Sequence, residues 1–111
     1  MYIKYDEYEL LELFANEPIA INEKEAGIFL YKQEDSYGFK LSMYISIYEY
    51  TCSISLSHRD LTKPIFDIGL NDVKCIKGKN DRLIIQQTDE EKDVVVYFKP
   101  NYALTFEKGE G

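Results

Sequence analysis

The most regular hydrophobic pattern in the chain runs from residue 39 to residue 57, FKLSMYISIYEYTCSISLS. Up to residue 47, hydrophobic side chains occupy the odd positions, which is the two-residue period of a β-strand. After Glu49 the phase changes, and Cys52, Ile54 and Leu56 stand at even positions with serines between them. One strand of this length, at about 3.3 Å per residue, is too long for a small globule, so the pattern predicts a hairpin.

The phase change also predicts the register of this hairpin. A four-residue loop at 48–51 lets an odd-numbered strand face an even-numbered one, so hydrophobic residues meet each other. The predicted pairs are Ile47 with Cys52, Ile45 with Ile54, and Met43 with Leu56. Ser46 is then expected to meet Ser53 on the opposite, polar face.

One amphipathic helix is predicted near the N-terminus, from about residue 6 to residue 16. Asp6 and Glu9 have the spacing of a capping box. The hydrophobic residues that follow share one helical face: Leu10, Leu11, Leu13 and Phe14. The helix is expected to end before Pro18, because the residue that precedes a proline avoids the α conformation, and to bury its apolar face on a sheet.

Short hydrophobic runs between turn residues predict the remaining strands. These runs are 19–21, 27–32, 65–68, 73–76, 83–87, 93–98 and 102–106. The predicted fold class is therefore mainly β: an antiparallel meander or sandwich, or a curled sheet, of about 7–9 strands with one N-terminal α-helix. We expect a single domain over residues 1–107 and a frayed tail at 108–111.

Charge is unevenly distributed along the chain, whose net charge is −7. Residues 1–37 carry −6, residues 38–88 carry +2, and residues 89–111 carry −3. This distribution argues against a nucleic-acid partner, which needs a basic footprint, and favours a basic protein partner, although acidic residues also keep small domains soluble. No apolar run approaches the roughly 20 residues of a membrane span, and the acidic N-terminus lacks the apolar centre of a signal peptide, so a cytoplasmic protein without membrane contact is expected.

Few residues suggest catalysis or metal binding. His58 begins a His-Arg-Asp-Leu segment, but the kinase loop with that pattern needs an asparagine where Ile65 stands. Cys52 and Cys75 fall at hydrophobic positions and are expected to be buried free thiols. Histidine and cysteine together supply only three of the four ligands that a structural zinc needs. We therefore expect no enzyme activity, catalytic residue, metal or cofactor.

Tyrosine is abundant, with ten residues in the chain. Tyr44, Ser46 and Tyr48 alternate on the polar face of the hairpin, and antibody combining sites use the same tyrosine and serine composition. This face is therefore either a partner surface or a structural face covered by the helix or a second sheet. The complete set of expected partner-binding residues adds the exposed side of the helix: Tyr44, Ser46, Tyr48, Tyr8, Glu9, Glu12 and Glu17.

Several segments together resemble the small acidic single-domain immunity proteins that protect bacteria from their own polymorphic toxins. These segments are LFANEP at 13–18, GIFLY at 27–31, the hairpin at 39–57, and IFDI at 65–68. The resemblance implies a non-enzymatic protein that occludes a cognate, basic toxin domain, and it transfers no site residue. Two alternatives remain open: a small-ligand-binding domain, and a structural or phage component that self-associates into a homo-oligomer.

Overall fold

The computed structural model describes residues 2–109, in which ten strands form two five-stranded sheets. The hairpin sheet contains β2 (Ile19–Ala20), β3 (Ile28–Glu34), β4 (Phe39–Ser46), β5 (Thr51–His58) and β6 (Phe66–Leu70), in that order. The C-terminal sheet has the order β1 (Lys4–Tyr5), β7 (Val73–Lys79), β8 (Arg82–Gln87), β9 (Lys92–Tyr97) and β10 (Ala103–Lys108). The helix α1 spans Glu7–Phe14, and a 3-10 turn spans Lys24–Ala26.

The predicted fold class, mainly β with one N-terminal helix, is confirmed. The strand missing from the prediction is β1, which pairs in parallel with β7 through Lys4–Cys75 and Tyr5–Ile76. A strand of two residues is too short to produce an alternating pattern, and this pairing makes the C-terminal sheet mixed. At the other terminus β10 continues to Lys108, where a frayed tail was expected. The last two residues of that expected tail, 110 and 111, lie outside the described range.

The central hairpin forms as predicted, but its predicted register is wrong by two residues. The observed pairs are Ile45 with Cys52, Met43 with Ile54, Leu41 with Leu56, and Tyr44 with Ser53. The shift arises because Ile47 leaves the ladder: its N–H donates to the Gly27 carbonyl at 2.9 Å, and its carbonyl accepts from the Ile3 N–H at 3.1 Å. The four-residue loop is therefore 47–50, closed by Tyr50 with φ of 59°. The hydrophobic residues still share one buried face, as expected from the phase change.

Helix α1 begins at the predicted cap. The Asp6 carboxylate accepts hydrogen bonds from the N–H groups of Tyr8 and Glu9, at 2.8 and 3.3 Å. The reciprocal half of the expected capping box is absent, since Glu9 Oε1 instead accepts from the N–H of Gly78 in β7, at 3.1 Å. The helix ends earlier than predicted, because Ala15 adopts a left-handed conformation with φ of 57°.

The helix buries its apolar face between the two sheets, against β7 on one side and β3 on the other. Its buried residues are Leu10, Leu13 and Phe14, whereas Leu11, predicted for the same face, is 37% exposed. The Phe14 ring packs against Tyr31 of β3 and Phe98 after β9, with centroid separations of 5.3 and 5.1 Å. No polar or charged residue within 2–109 is buried. The buried hydrophobic residues of the helix and both sheets form one continuous core.

A polar clasp holds the C-terminal end of the helix. The Gln33 side-chain amide donates to the carbonyls of Leu13 and Phe14, at 3.1 and 3.2 Å. The Tyr102 hydroxyl donates in turn to Gln33 Oε1 at 2.6 Å. These bonds satisfy carbonyls that a helix end leaves unpaired, and they connect α1, β3 and the segment before β10.

Replacing Phe14 by alanine should destabilise the fold by about 3–5 kcal/mol, the usual cost of removing a buried phenylalanine ring. The control on the same helix is Leu11→Ala, which should cost well under half as much because Leu11 is partly exposed. Urea unfolding followed by circular dichroism measures both free energies. Equal losses for the two variants would contradict the bridging role of Phe14.

Candidate protein-binding surfaces

The expected partner-binding residues lie in separate places on the molecule. Tyr44 and Ser46 are on β4, and Tyr48 is 59% exposed in the 47–50 loop. On the helical side, Tyr8 and Glu17 line one groove. Glu9 and Glu12 line a different depression, beside Gly78 and Asn80. The structure therefore offers several surfaces, and does not gather these side chains into one site.

The outer face of the hairpin sheet is open. Strand pairing aligns five residues across it, one from each strand: Ile19, Leu30, Tyr44, Ser53 and Gly69. Tyr44 and Ile19 are 45% and 47% exposed. The interpretation that a helix or second sheet covers this face is therefore wrong: α1 packs on the inner face, where the core also lies.

A shallow depression of about 400 Å³ adjoins Tyr44 on this face. Serines from β4 and β5 form its floor, and the 61–64 loop and Asp67 form its border. A methyl group added at Gly69 would meet no atom within 4 Å, so nothing in the described chain stands above the β6 edge. An exposed aromatic ring beside small hydroxyl groups suits contact with another protein surface.

A groove of about 370 Å³ lies between α1 and strands β2 and β3. Its lining combines aromatic, aliphatic and charged side chains: Tyr5, Glu7, Tyr8, Leu11, Glu17, Pro18, Ala20, Lys24, Phe29 and Tyr31. Burial raises the pKa of Tyr5, and the nearby Glu7 carboxylate and Tyr48 raise it further. Tyr5 is therefore an uncharged hydrogen-bonding group at neutral pH.

A polar network on the outer face of the C-terminal sheet was not predicted from the sequence. Glu107 Oε2 accepts from the hydroxyls of Thr105 and Tyr97, at 2.6 and 2.5 Å. The Arg82 guanidinium lies 5.1 Å from the centre of the Tyr97 ring and donates to Asp81 at 3.1 Å. The hydrogen bonds from Thr105 and Tyr97 lower the pKa of Glu107. Only the pairing of β8, β9 and β10 brings these residues together, so no local motif reveals them.

The single histidine is the last residue of β5, and its ring contacts backbone groups in two neighbouring turns. His58 Nε2 lies 2.8 Å from the Tyr37 carbonyl, and its Nδ1 accepts from the Asp60 N–H at 3.1 Å. The two cysteines are free and lie in different sheets, with Cys52 buried and Cys75 half-buried. Burial raises the pKa of the Cys52 thiol to about 12, which keeps it protonated and unreactive. Within residues 2–109, no group of three or more His, Cys, Asp or Glu side chains is placed to hold a metal ion.

Comparison with known proteins identifies a solved structure with a similar fold. The sequence matches no family model and no curated protein. Its structure is similar to a chain of the contact-dependent growth inhibition toxin–immunity protein complex from Klebsiella pneumoniae 342, with a TM-score of 0.80 and 19% identity. The match covers 98% of this chain and 100% of that chain.

The two chains share one fold. That fold is the fold of a chain in a toxin–immunity protein complex, which agrees with the resemblance expected from the sequence. None of the helices within residues 2–109 is long and apolar enough to cross a membrane.

The Glu107 network predicts a specific titration. Thr105→Val and Tyr97→Phe should each raise the pKa of Glu107 towards its ordinary value, since each removes a hydrogen bond to the carboxylate. Because the folded-state pKa is depressed, the associated stabilisation is present above the ordinary glutamate pKa and is lost as the pH falls through the folded value. Carboxyl ¹³C NMR measures the pKa, and Tyr37→Phe is the control. An unchanged Glu107 titration in both network variants would contradict the assignment.

Proposed function

We propose that this chain is a non-enzymatic protein-binding domain, an immunity-type inhibitor that occludes a toxin domain. The observation that carries the proposal is the full-length fold similarity to a chain of a toxin–immunity protein complex. Blocking an active site requires a rigid surface of suitable shape and charge, and needs no reactive group of the inhibitor's own. The continuous hydrophobic core supports such rigidity.

The outer face of the hairpin sheet is one proposed contact surface. Tyr44 lies near its centre, Ile19 is exposed on β2 at one edge, and Ser46 lies further along β4. Tyr48 extends the surface at the tip of the hairpin, where its ring packs over Gly27. Tyrosine supplies a large contact area at a small cost in side-chain entropy, and exposed aromatic residues are frequent anchors of protein interfaces.

The partner is proposed to be basic. Helix α1 presents Glu7, Glu9 and Glu12 to solvent, and Glu17 follows shortly after its end. No lysine or arginine lies within α1 to offset these carboxylates. Such a surface accelerates the encounter with a positively charged partner and orients it. Tyr8 is 81% exposed on the same helix, where it can contact the partner after this encounter. The proposed location of the complex is the cytoplasm of the producing cell.

Co-expression tests the proposal directly. The toxin candidate is the protein encoded by the gene next to that of this chain. Its production should arrest growth of a bacterial host, and production of this chain should restore growth. Size-exclusion chromatography of the purified mixture should give a 1:1 complex. Growth arrest that persists, with the two proteins eluting separately, would overturn the proposal, and an oligomer of this chain alone would favour the self-associating alternative.

Tyr44→Ala should weaken that complex at least about tenfold, the effect of removing an aromatic anchor from an interface. The matched control is Tyr37→Ala, because Tyr37 is 74% exposed in the turn between β3 and β4. Isothermal titration calorimetry gives both dissociation constants, and thermal unfolding checks that both variants remain folded. Equal affinities for Tyr44→Ala and the unaltered protein would exclude the outer face of the hairpin sheet as the main contact.

A further inference from the structure

The groove between α1 and strands β2 and β3 combines an apolar floor with acidic walls. Leu11 of the helix and Phe29 of β3 supply apolar lining, and Tyr5 and Tyr31 supply aromatic rings. Two carboxylates, Glu7 and Glu17, line the same groove and are exposed. The groove therefore offers both hydrophobic contact and negative charge to an entering group.

Tyr31 supplies an independent indication of a ligand. Its side chain is only 2% exposed, and it lines the groove. No residue within 2–109 forms a hydrogen bond with its hydroxyl. Since no fully buried side-chain oxygen in that range lacks a partner, this oxygen reaches the groove surface. A phenol oxygen at the groove surface can donate or accept a hydrogen bond, so the Tyr31 hydroxyl is available to a group that enters the groove.

The Tyr31 hydroxyl is also held in its neutral form. Burial raises its pKa well above the usual tyrosine range, and the neighbouring Tyr5 and Glu7 add to this effect. A neutral phenol can accept a hydrogen bond from a cationic group. A cation at this position would meet the Glu7 carboxylate as well, and would offset the negative charge that Glu7 brings to the tyrosines.

We propose that this groove receives an arginine side chain of the partner protein, an inference that rests on the proposed function. The aliphatic stem of arginine would lie on the apolar floor, because long basic side chains cover hydrophobic surface with their methylene groups. The planar guanidinium would stack on a tyrosine ring and donate to Glu7, Glu17 and the Tyr31 hydroxyl. Arginine is favoured over lysine since its five N–H donors can serve several acceptors at once.

One cationic residue, Lys24, also lines the groove and must be counted. Two carboxylates and one ammonium leave one negative charge among the lining side chains. The positive charge of a single arginine would neutralise this remaining negative charge. Lys24 is exposed, so its side chain can move towards solvent when a second cation arrives, at a small electrostatic cost.

The test uses the complete protein and a small probe, N-acetyl-L-arginine amide. Titration followed by ¹⁵N–¹H NMR should give saturable shifts of the amides of Leu11, Ala20 and Phe29, with a dissociation constant on the order of millimolar. N-acetyl-L-citrulline amide, which has nearly the same shape but no charge, should produce no saturable shift. The double variant Glu7→Gln/Glu17→Gln should weaken arginine binding at least about threefold.

Two further variants sharpen the result. Glu90→Gln/Glu91→Gln removes the same amount of charge at exposed positions in the turn before β9, and should leave arginine binding unchanged. Lys24→Ala should tighten binding, because it removes the competing cation. Shifts elsewhere on the surface, equal binding of the citrulline probe, or insensitivity to the Glu7/Glu17 change would each overturn the arginine site.

These outcomes are separable from failure of the proposed function. A groove that rejects the arginine probe, in a protein that still protects cells from the toxin, would exclude the arginine site alone. A groove that binds the probe, in a protein that gives no protection, would instead count against the immunity role.

Discussion

The packing of Phe14 between Tyr31 and Phe98 is the interaction on which the rest of the structure depends. Each sheet has one hydrophobic face, and α1 fills the space between the two faces at one side of the sandwich. The Gln33–Tyr102 clasp fixes the end of the helix through its free carbonyls. Helix, sheets and C-terminal segment are thus stabilised by one set of contacts, so loss of the ring should weaken them together.

This arrangement leaves the outer faces of both sheets free for other roles. In the hairpin sheet, alternation sends Met43 and Ile45 inward and therefore sends Tyr44 outward beside the serines. In the C-terminal sheet, the same alternation places Arg82 and Tyr97 outside. The polar network there is satisfied within the protein, whereas the hydroxyl-rich face around Tyr44 borders open space. The outer face of the hairpin sheet is therefore better suited to contact with a partner than the outer face of the C-terminal sheet.

Most of the fold could be predicted from sequence, because a long strand with one buried face alternates hydrophobic and polar residues. The missed features depend on contacts between distant segments. The hairpin register differs from prediction because the backbone of Ile47 forms hydrogen bonds with Ile3 and Gly27. Strand β1 is present because two residues near the N-terminus pair with β7. The sequence pattern places candidate site residues such as Tyr8 and Tyr44 on the polar faces of the helix and the hairpin. Their separation on the surface follows from tertiary packing, which the pattern does not contain. Tyr31 has the pattern of an ordinary strand residue, and only the position of α1 makes it part of a groove.

The two faces of α1 have different surroundings. Leu10, Leu13 and Phe14 point into the core, while Glu7 and Glu12 are exposed, so substitutions on one face need not disturb the other. The groove is the exception, because it forms where the helix leaves β2 and β3 incompletely covered. The position of the helix therefore determines both the closure of the core and the shape of the groove. The similar chain has this fold with only 19% sequence identity, so the same arrangement of helix and sheets tolerates a different residue at most positions.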